Sequence, residues 1–139
     1  MSPQPKFVIF AHHATYDTLH QVATLGLTAA AMGKDVIVVL LFWTIKKLAE
    51  GRIDEIDFPS EYAESADEVA RLLKEKNVPK ISEMFQDAKH VGRFRLIACS
   101  AGLEYMGVDS AVVEKNVDEV MGLPAIIALT SDAETKLFI

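Results

Sequence analysis

Val36-Ile37-Val38-Val39-Leu40-Leu41-Phe42 is apolar at every position. A strand with one wet face would alternate apolar and polar side chains. A strand apolar on both sides needs cover above and below, which is the condition inside a parallel sheet flanked by helices. With Trp43 the apolar run reaches eight residues, far short of the roughly 20 that cross a bilayer, so no membrane partner is expected. Upstream, Lys6-Phe7-Val8-Ile9-Phe10-Ala11 follows two prolines, is rich in β-favouring side chains and predicts a first buried strand. Between the two, Leu19, Val22, Ala23, Gly26, Leu27 and Ala30 recur at helical spacing, with Thr18 and Gln21 as a capping box and Gly33 as the stop. Strand, helix and strand in this order predict a parallel α/β unit.

Downstream, Thr44 to Glu50 predicts a short helix, and Gly51 to Glu64 a surface excursion containing Pro59. Ser65 and Glu68 suggest a capping box for a helix reaching Lys76. Pro79 opens another, with Ile81, Met84, Phe85 and Ala88 inward and Gly92 at its end. Phe94 to Ala98 predicts a third strand, and Cys99 to Gly107 a turn into a short helix closed by glycine. Pro124 to Leu129 reads as a strand or as a helix opened by Pro124. The helix is preferred because it separates a short strand near Asp118 to Met121 from a last one at Thr135 to Ile139, preserving the alternation.

The chain has 139 residues, half of them hydrophobic, enough for one domain with its own core. Of its net charge of −6, residues 50–68 hold eight acids against one base, hence −7, leaving the rest near neutral at +1. Without a basic stripe, nucleic acid is not expected as a partner. The acidic run reads as a solvated face or a dock for a basic partner. A single cysteine allows neither an internal disulfide nor a four-cysteine zinc site, and suits a reducing cytoplasm. The opening residues Met1 to Lys6 lack an apolar export segment, which agrees with a cytoplasmic location.

In an open parallel sheet, ligands meet the loops at the carboxyl ends of the strands. Three such loops carry His12 and His13, Trp43, and Cys99 with Ser100. A cysteine in the first turn of a helix faces unpaired N–H groups that favour a thiolate; the alternative is a small buried hydrophobe. His12 and His13 are neighbours, so in an extended stretch only one should face the crevice, as ion-pair partner or proton donor. Trp43 reads first as core, otherwise as a pocket lid or an oligomer contact. A metal site drawn from His12, His13, His20, Asp17 and Cys99 matches no zinc spacing, so no metal or cofactor is expected. Ala98-Cys99-Ser100-Ala101-Gly102 approaches a hydrolase nucleophile elbow, but no histidine follows Ser100. Gly-rich phosphate loops are absent from the sequence.

Ile81-Ser82-Glu83-Met84-Phe85 through Ala88 and Gly92, a strand ending in Ala98-Cys99, then Met106-Gly107-Val108 and Lys136-Leu137-Phe138-Ile139 follow one another in a distinctive order. With Lys6 to Ala11 and Phe42-Trp43, they resemble DsrE/DsrF-type sulfur-relay proteins over essentially the whole chain. The resemblance implies one domain spanning residues 1–139, folded as a three-layer α/β/α sandwich on a five-stranded parallel sheet. It also implies homo-oligomers, commonly trimers or hexamers. Cys99 occupies the position of the cysteine that accepts sulfur as a persulfide and passes it to a partner protein or small thiol. From their place in the strand-end loops, His12 or His13 would assist, with Ser100 and Trp43 touching the substrate. Glu104-Tyr105-Met106 stand where the best characterised carriers have paired arginines, so the resemblance names neither donor nor acceptor. The alternative function is a non-catalytic oligomeric module that binds a small ligand in the crevice.

Overall fold

A computed structural model describes residues 3–139. The chain runs β1 (Lys6–Ala11), α1 (Tyr16–Ala31), β2 (Asp35–Leu40), α2 (Trp43–Ala49), a single turn of 3-10 helix (Ser60–Tyr62), α3 (Ala63–Glu75), α4 (Ile81–Val91) and β3 (Arg93–Cys99). It continues through α5 (Ser100–Tyr105), α6 (Ser110–Glu114), β4 (Glu119–Met121), α7 (Leu123–Thr130) and β5 (Thr135–Phe138). The five strands pair in parallel in the order β4-β3-β2-β1-β5.

Period-2 alternation divides the strands between two cores. Ile9, Val36, Val38, Leu40, Phe94 and Leu96 pack with α1, α2, α4 and Val113 of α6. Val8, Ile37, Val39, Ile97 and Cys99 point the other way, where Ile126 of α7 is the fully enclosed helical partner. The result is a three-layer α/β/α sandwich with unequal layers. α7 is the helix preferred for Pro124 to Leu129. α6 was not anticipated; its five residues are too few to show a period, and Asp109 caps it by accepting from Ala111 N–H.

Three predicted helix starts are displaced, two of them for the same reason. α1 begins at Tyr16, not behind a cap at Thr18, because Asp57 supplies the cap: Tyr16 N–H donates to its Oδ1 at 2.8 Å and to its carbonyl at 2.9 Å. α4 begins at Ile81, leaving Pro79 outside, and Ser82 N–H and Oγ donate to the Asp54 carboxylate at 2.9 and 2.5 Å. Both caps come from the acidic excursion. α3 starts at Ala63 directly from the 3-10 turn, so Ser65 caps nothing, and none of its residues is buried.

The C-terminal ends of helix and strand follow local glycine chemistry. Gly33 adopts φ +84° after α1, with Lys34 N–H donating back to Ala29 O. Gly92 has a different constraint. It is extended, but a Cβ there would stand 2.5 Å from Ala30 O, so α1 packs against bare backbone. Gly92→Ala should therefore lower unfolding stability by about 1–3 kcal/mol through overpacking. Gly51→Ala meets only open space and should cost about 1 kcal/mol through its left-handed φ of +69°. Urea denaturation of both variants checks the ranking.

Candidate functional site

The loops after β1, β2 and β3 open on one edge of the sheet, as parallel strands require. Thr44 ties the first two together. Its buried hydroxyl lies 2.9 Å from the carbonyls of both Ala11 and Leu41, and accepts from Leu41 N–H at 3.0 Å. Phe42 takes φ 54°, an unfavourable conformation for a side chain of its size, and so turns the chain abruptly from β2 into α2. The turn leaves the Phe42 and Trp43 rings outside the core, in an edge-on contact 6.0 Å apart.

Two pockets flank these rings. An apolar one of about 460 Å³ is lined by Leu41, Phe42, Ala101, Gly102, Tyr105 and Leu123, with Cys99, His12, His13 and Trp43 completing the wall. Cys99 ends β3, serves as N-cap residue of α5 and is 3% exposed. At Gly102 a Cβ would fall 2.6 Å from Ile45 Cδ1, so a larger residue there would displace the end of that buried side chain. Leu123 begins α7, so the pocket lies where the chain leaves β3 and β4 toward opposite faces, the usual place for a ligand in an open α/β sheet.

Several sequence expectations change. Both histidines line the pocket, their ring centroids 4.2 Å apart, because β1 ends at Ala11 and strict alternation ends with it. His12 N–H is held by Ile139 O at 2.9 Å. Trp43 is not core; it is 54% exposed and borders both pockets. Ser100 does not join the lining. It is exposed, with its Oγ beside Gly122 at the start of α7. Among the described residues no three His, Cys, Asp or Glu side chains gather closely enough to hold a metal ion. His20 instead lies over Tyr16, its ring centroid 5.4 Å away. No helix among the described residues is long and apolar enough to cross a membrane.

The second pocket, about 730 Å³, is polar and lies between the α1 start, α2 and the acidic excursion. Sequence reasoning did not find Lys47, which is 5% exposed on its floor. Its ammonium donates to Ala14 O at 2.7 Å and pairs with Asp57 at 2.8 Å. It thus fixes the excursion to the β1 loop. The spacing of Thr44, Ile45, Lys47 and Leu48 on one helix face marks the position as inward, although composition alone marks it as surface.

No family model matches this chain, and no curated protein matches it. Among the solved structures that share its fold are two proteins of unknown function. A conserved protein of unknown function from Bacteroides thetaiotaomicron aligns with a TM-score of 0.59 at 17% identity, over 97% of this chain and 95% of that one. A protein of unknown function from Methanobacterium thermoautotrophicum aligns with a TM-score of 0.54 at 14% identity, over 98% of this chain and 100% of that one. At these identities the likeness concerns architecture.

Tyr16 sits beneath the excursion, packed edge-on against Phe58 with centroids 6.0 Å apart. Burial, reinforced by the Asp54 carboxylate, holds its phenol above the ordinary value of 10.0. In the unfolded chain the phenol ionises first, so this contribution to stability is intact below pH 10.0 and is lost as pH rises through the higher folded value. Stability should fall in alkali, and Tyr16→Phe should flatten that limb. Denaturant midpoints measured from neutral pH upward check both outcomes.

Proposed function

We propose that the protein is a sulfur carrier that holds a persulfide on Cys99 and passes it to a thiol on another molecule. The observation carrying this reading is that the only thiol of the chain forms part of the wall of an apolar pocket rimmed by two histidines. In loading, the Cys99 thiolate attacks the outer sulfur of a donor persulfide. A new S–S bond forms, the donor S–S bond breaks, and the donor leaves as a thiolate that takes a proton from His12 or His13. In discharge an acceptor thiolate attacks the outer sulfur and Cys99 leaves as thiolate. The transferred sulfur keeps its oxidation state throughout, so the relay needs no redox cofactor. An apolar wall keeps water from the labile persulfide, and the second thiol must come from outside the chain. Such chemistry suits the reducing cytoplasm.

A second reading is a non-catalytic module that binds a small apolar ligand in the same pocket, favoured by the slight exposure of Cys99 and the apolar lining. Mass spectrometry separates the two. After incubation with glutathione persulfide, the intact protein should gain the mass of one sulfur, and Cys99→Ser should gain none. The double variant His12→Asn with His13→Asn should slow loading from the donor persulfide by roughly a hundredfold, the scale of lost general-acid assistance. A native protein that gains no sulfur belongs to the second reading.

Either reading includes self-association. The outward side of α7 carries Leu123, Pro124, Ile127 and Ala128, with Ile127 64% exposed, and Tyr105 lies exposed beside the pocket. An apolar strip of this kind is best buried against a copy of itself, in a trimer or hexamer. The acidic excursion stays outside, because like charges would oppose contact. Light scattering at micromolar concentration should give a mass several times 15.3 kDa, and Ile127→Asp should shift it toward the monomer.

A further inference from the structure

We propose that the polar pocket binds a small organic cation of the alkylammonium class. Its walls include Trp43 and Tyr62, which are 54% and 59% exposed. Large aromatic faces left open in a concavity attract cations through the ring quadrupole. The ionic groups around them point the same way once their pairings are followed. Lys47 is committed to Asp57 and to the Ala14 carbonyl. Arg52 spends its fork on Glu55, with Nη2 to Oε1 at 2.9 Å, and reaches Glu50 at 3.5 Å. Lys46 leans on Glu50 at 3.8 Å. Asp17 and Glu61 have no ion-pair partner among the described residues, and the enclosed Oδ1 of Asp17 accepts no hydrogen bond.

An anion is disfavoured by the same geometry. The pocket borders the start of α1, but Asp57 already occupies the Tyr16 N–H and Asp17 lies in the first turn, so the positive end of that helix is neutralised by the protein itself. The lining as a whole carries −1, with Asp17, Glu50, Asp57 and Glu61 against Lys46, Lys47 and Arg52, and the acids left without an ion pair among the described residues are Asp17 and Glu61. A compact cation with an apolar shell satisfies the carboxylates and the aromatic faces together, which neither a metal ion nor an uncharged apolar molecule does.

Trp43 is the only tryptophan and borders both pockets, so its fluorescence reports binding at either, and substitutions at Glu61 and Tyr62 assign it to the polar one. Titration with choline should give a saturable change. The uncharged carbon analogue of choline, with a tert-butyl group in place of trimethylammonium, should bind about tenfold more weakly or worse, the scale of a partly desolvated cation–π contact. Glu61→Gln and Tyr62→Leu, both at exposed positions, should each weaken choline by a similar factor, whereas Cys99→Ser should leave it unchanged. Equal binding of the uncharged analogue, preference for inorganic phosphate, no response to choline, or a response that survives both pocket substitutions overturns the proposal. None of these outcomes depends on sulfur transfer.

Discussion

Parallel strands joined through a helix cross over in a right-handed sense, because right-twisted strands and right-handed helices pack together only that way. From β1 through β2 and β3 to β4 the chain steps in one direction, which places α1, α2, α4 and α6 on one face of the sheet. The return from β4 at one edge to β5 at the other reverses the step, and the helix that makes it must lie on the other face. α7 is that helix, and it lies within the connection of residues 122–134 that leads from one edge of the sheet to the other. The unequal layers, the exposed apolar side of α7 and the crevice beside Cys99 all follow from this one reversal. Cys99 ends β3, whose outgoing helices stay on the first face while the chain leaving the neighbouring β4 crosses to the other, so it stands at the point of reversal.

Electrostatics then fix the loops that surround the crevice. The excursion after α2 has almost no core of its own, with Ile53 and Phe58 its main apolar anchors. It is held by carboxylates placed on the unpaired N–H groups of two helices, Asp57 on α1 and Asp54 on α4. Lys47 supplies the opposing charge from below. Carboxylates at helix N-termini satisfy donors that would otherwise need water, so an acidic segment becomes a structural clamp. A second consequence is that Glu61, in the 3-10 turn that follows, is presented to the polar pocket from an anchored segment.

Much of this architecture is legible in the sequence because parallel sheets announce themselves locally. Val36 to Phe42 has no polar face, and Pro124 and Gly33 mark helix ends by their own backbone preferences. The loops that build the site are also legible, since strand ends can be counted. Side-chain direction within them is not. His12 and His13 follow strand periodicity only as far as the strand runs, and Trp43 leaves the core through a backbone angle at Phe42 that apolar composition does not signal. Caps supplied across 41 and 28 residues are invisible to any local rule, which is why Thr18 and Ser65 attract capping roles they do not have. Lys47 is only partly such a case: the spacing of Thr44, Ile45, Lys47 and Leu48 turns it inward, but the partners of its ammonium come from both sides in sequence.

The lone cover of α7 also orders events during synthesis. Residues 6–99 contain β1, β2 and β3 and most of the helices of the first face, so that half of the sandwich can assemble while the ribosome is still extending the chain. Val8, Ile37, Val39, Ile97 and Cys99 then form a bare apolar surface until residues 119–139 emerge and α7 and β5 dock. During that interval the nascent chain presents an open, sticky sheet face with its thiol uncovered, a natural substrate for a chaperone that shields apolar strands.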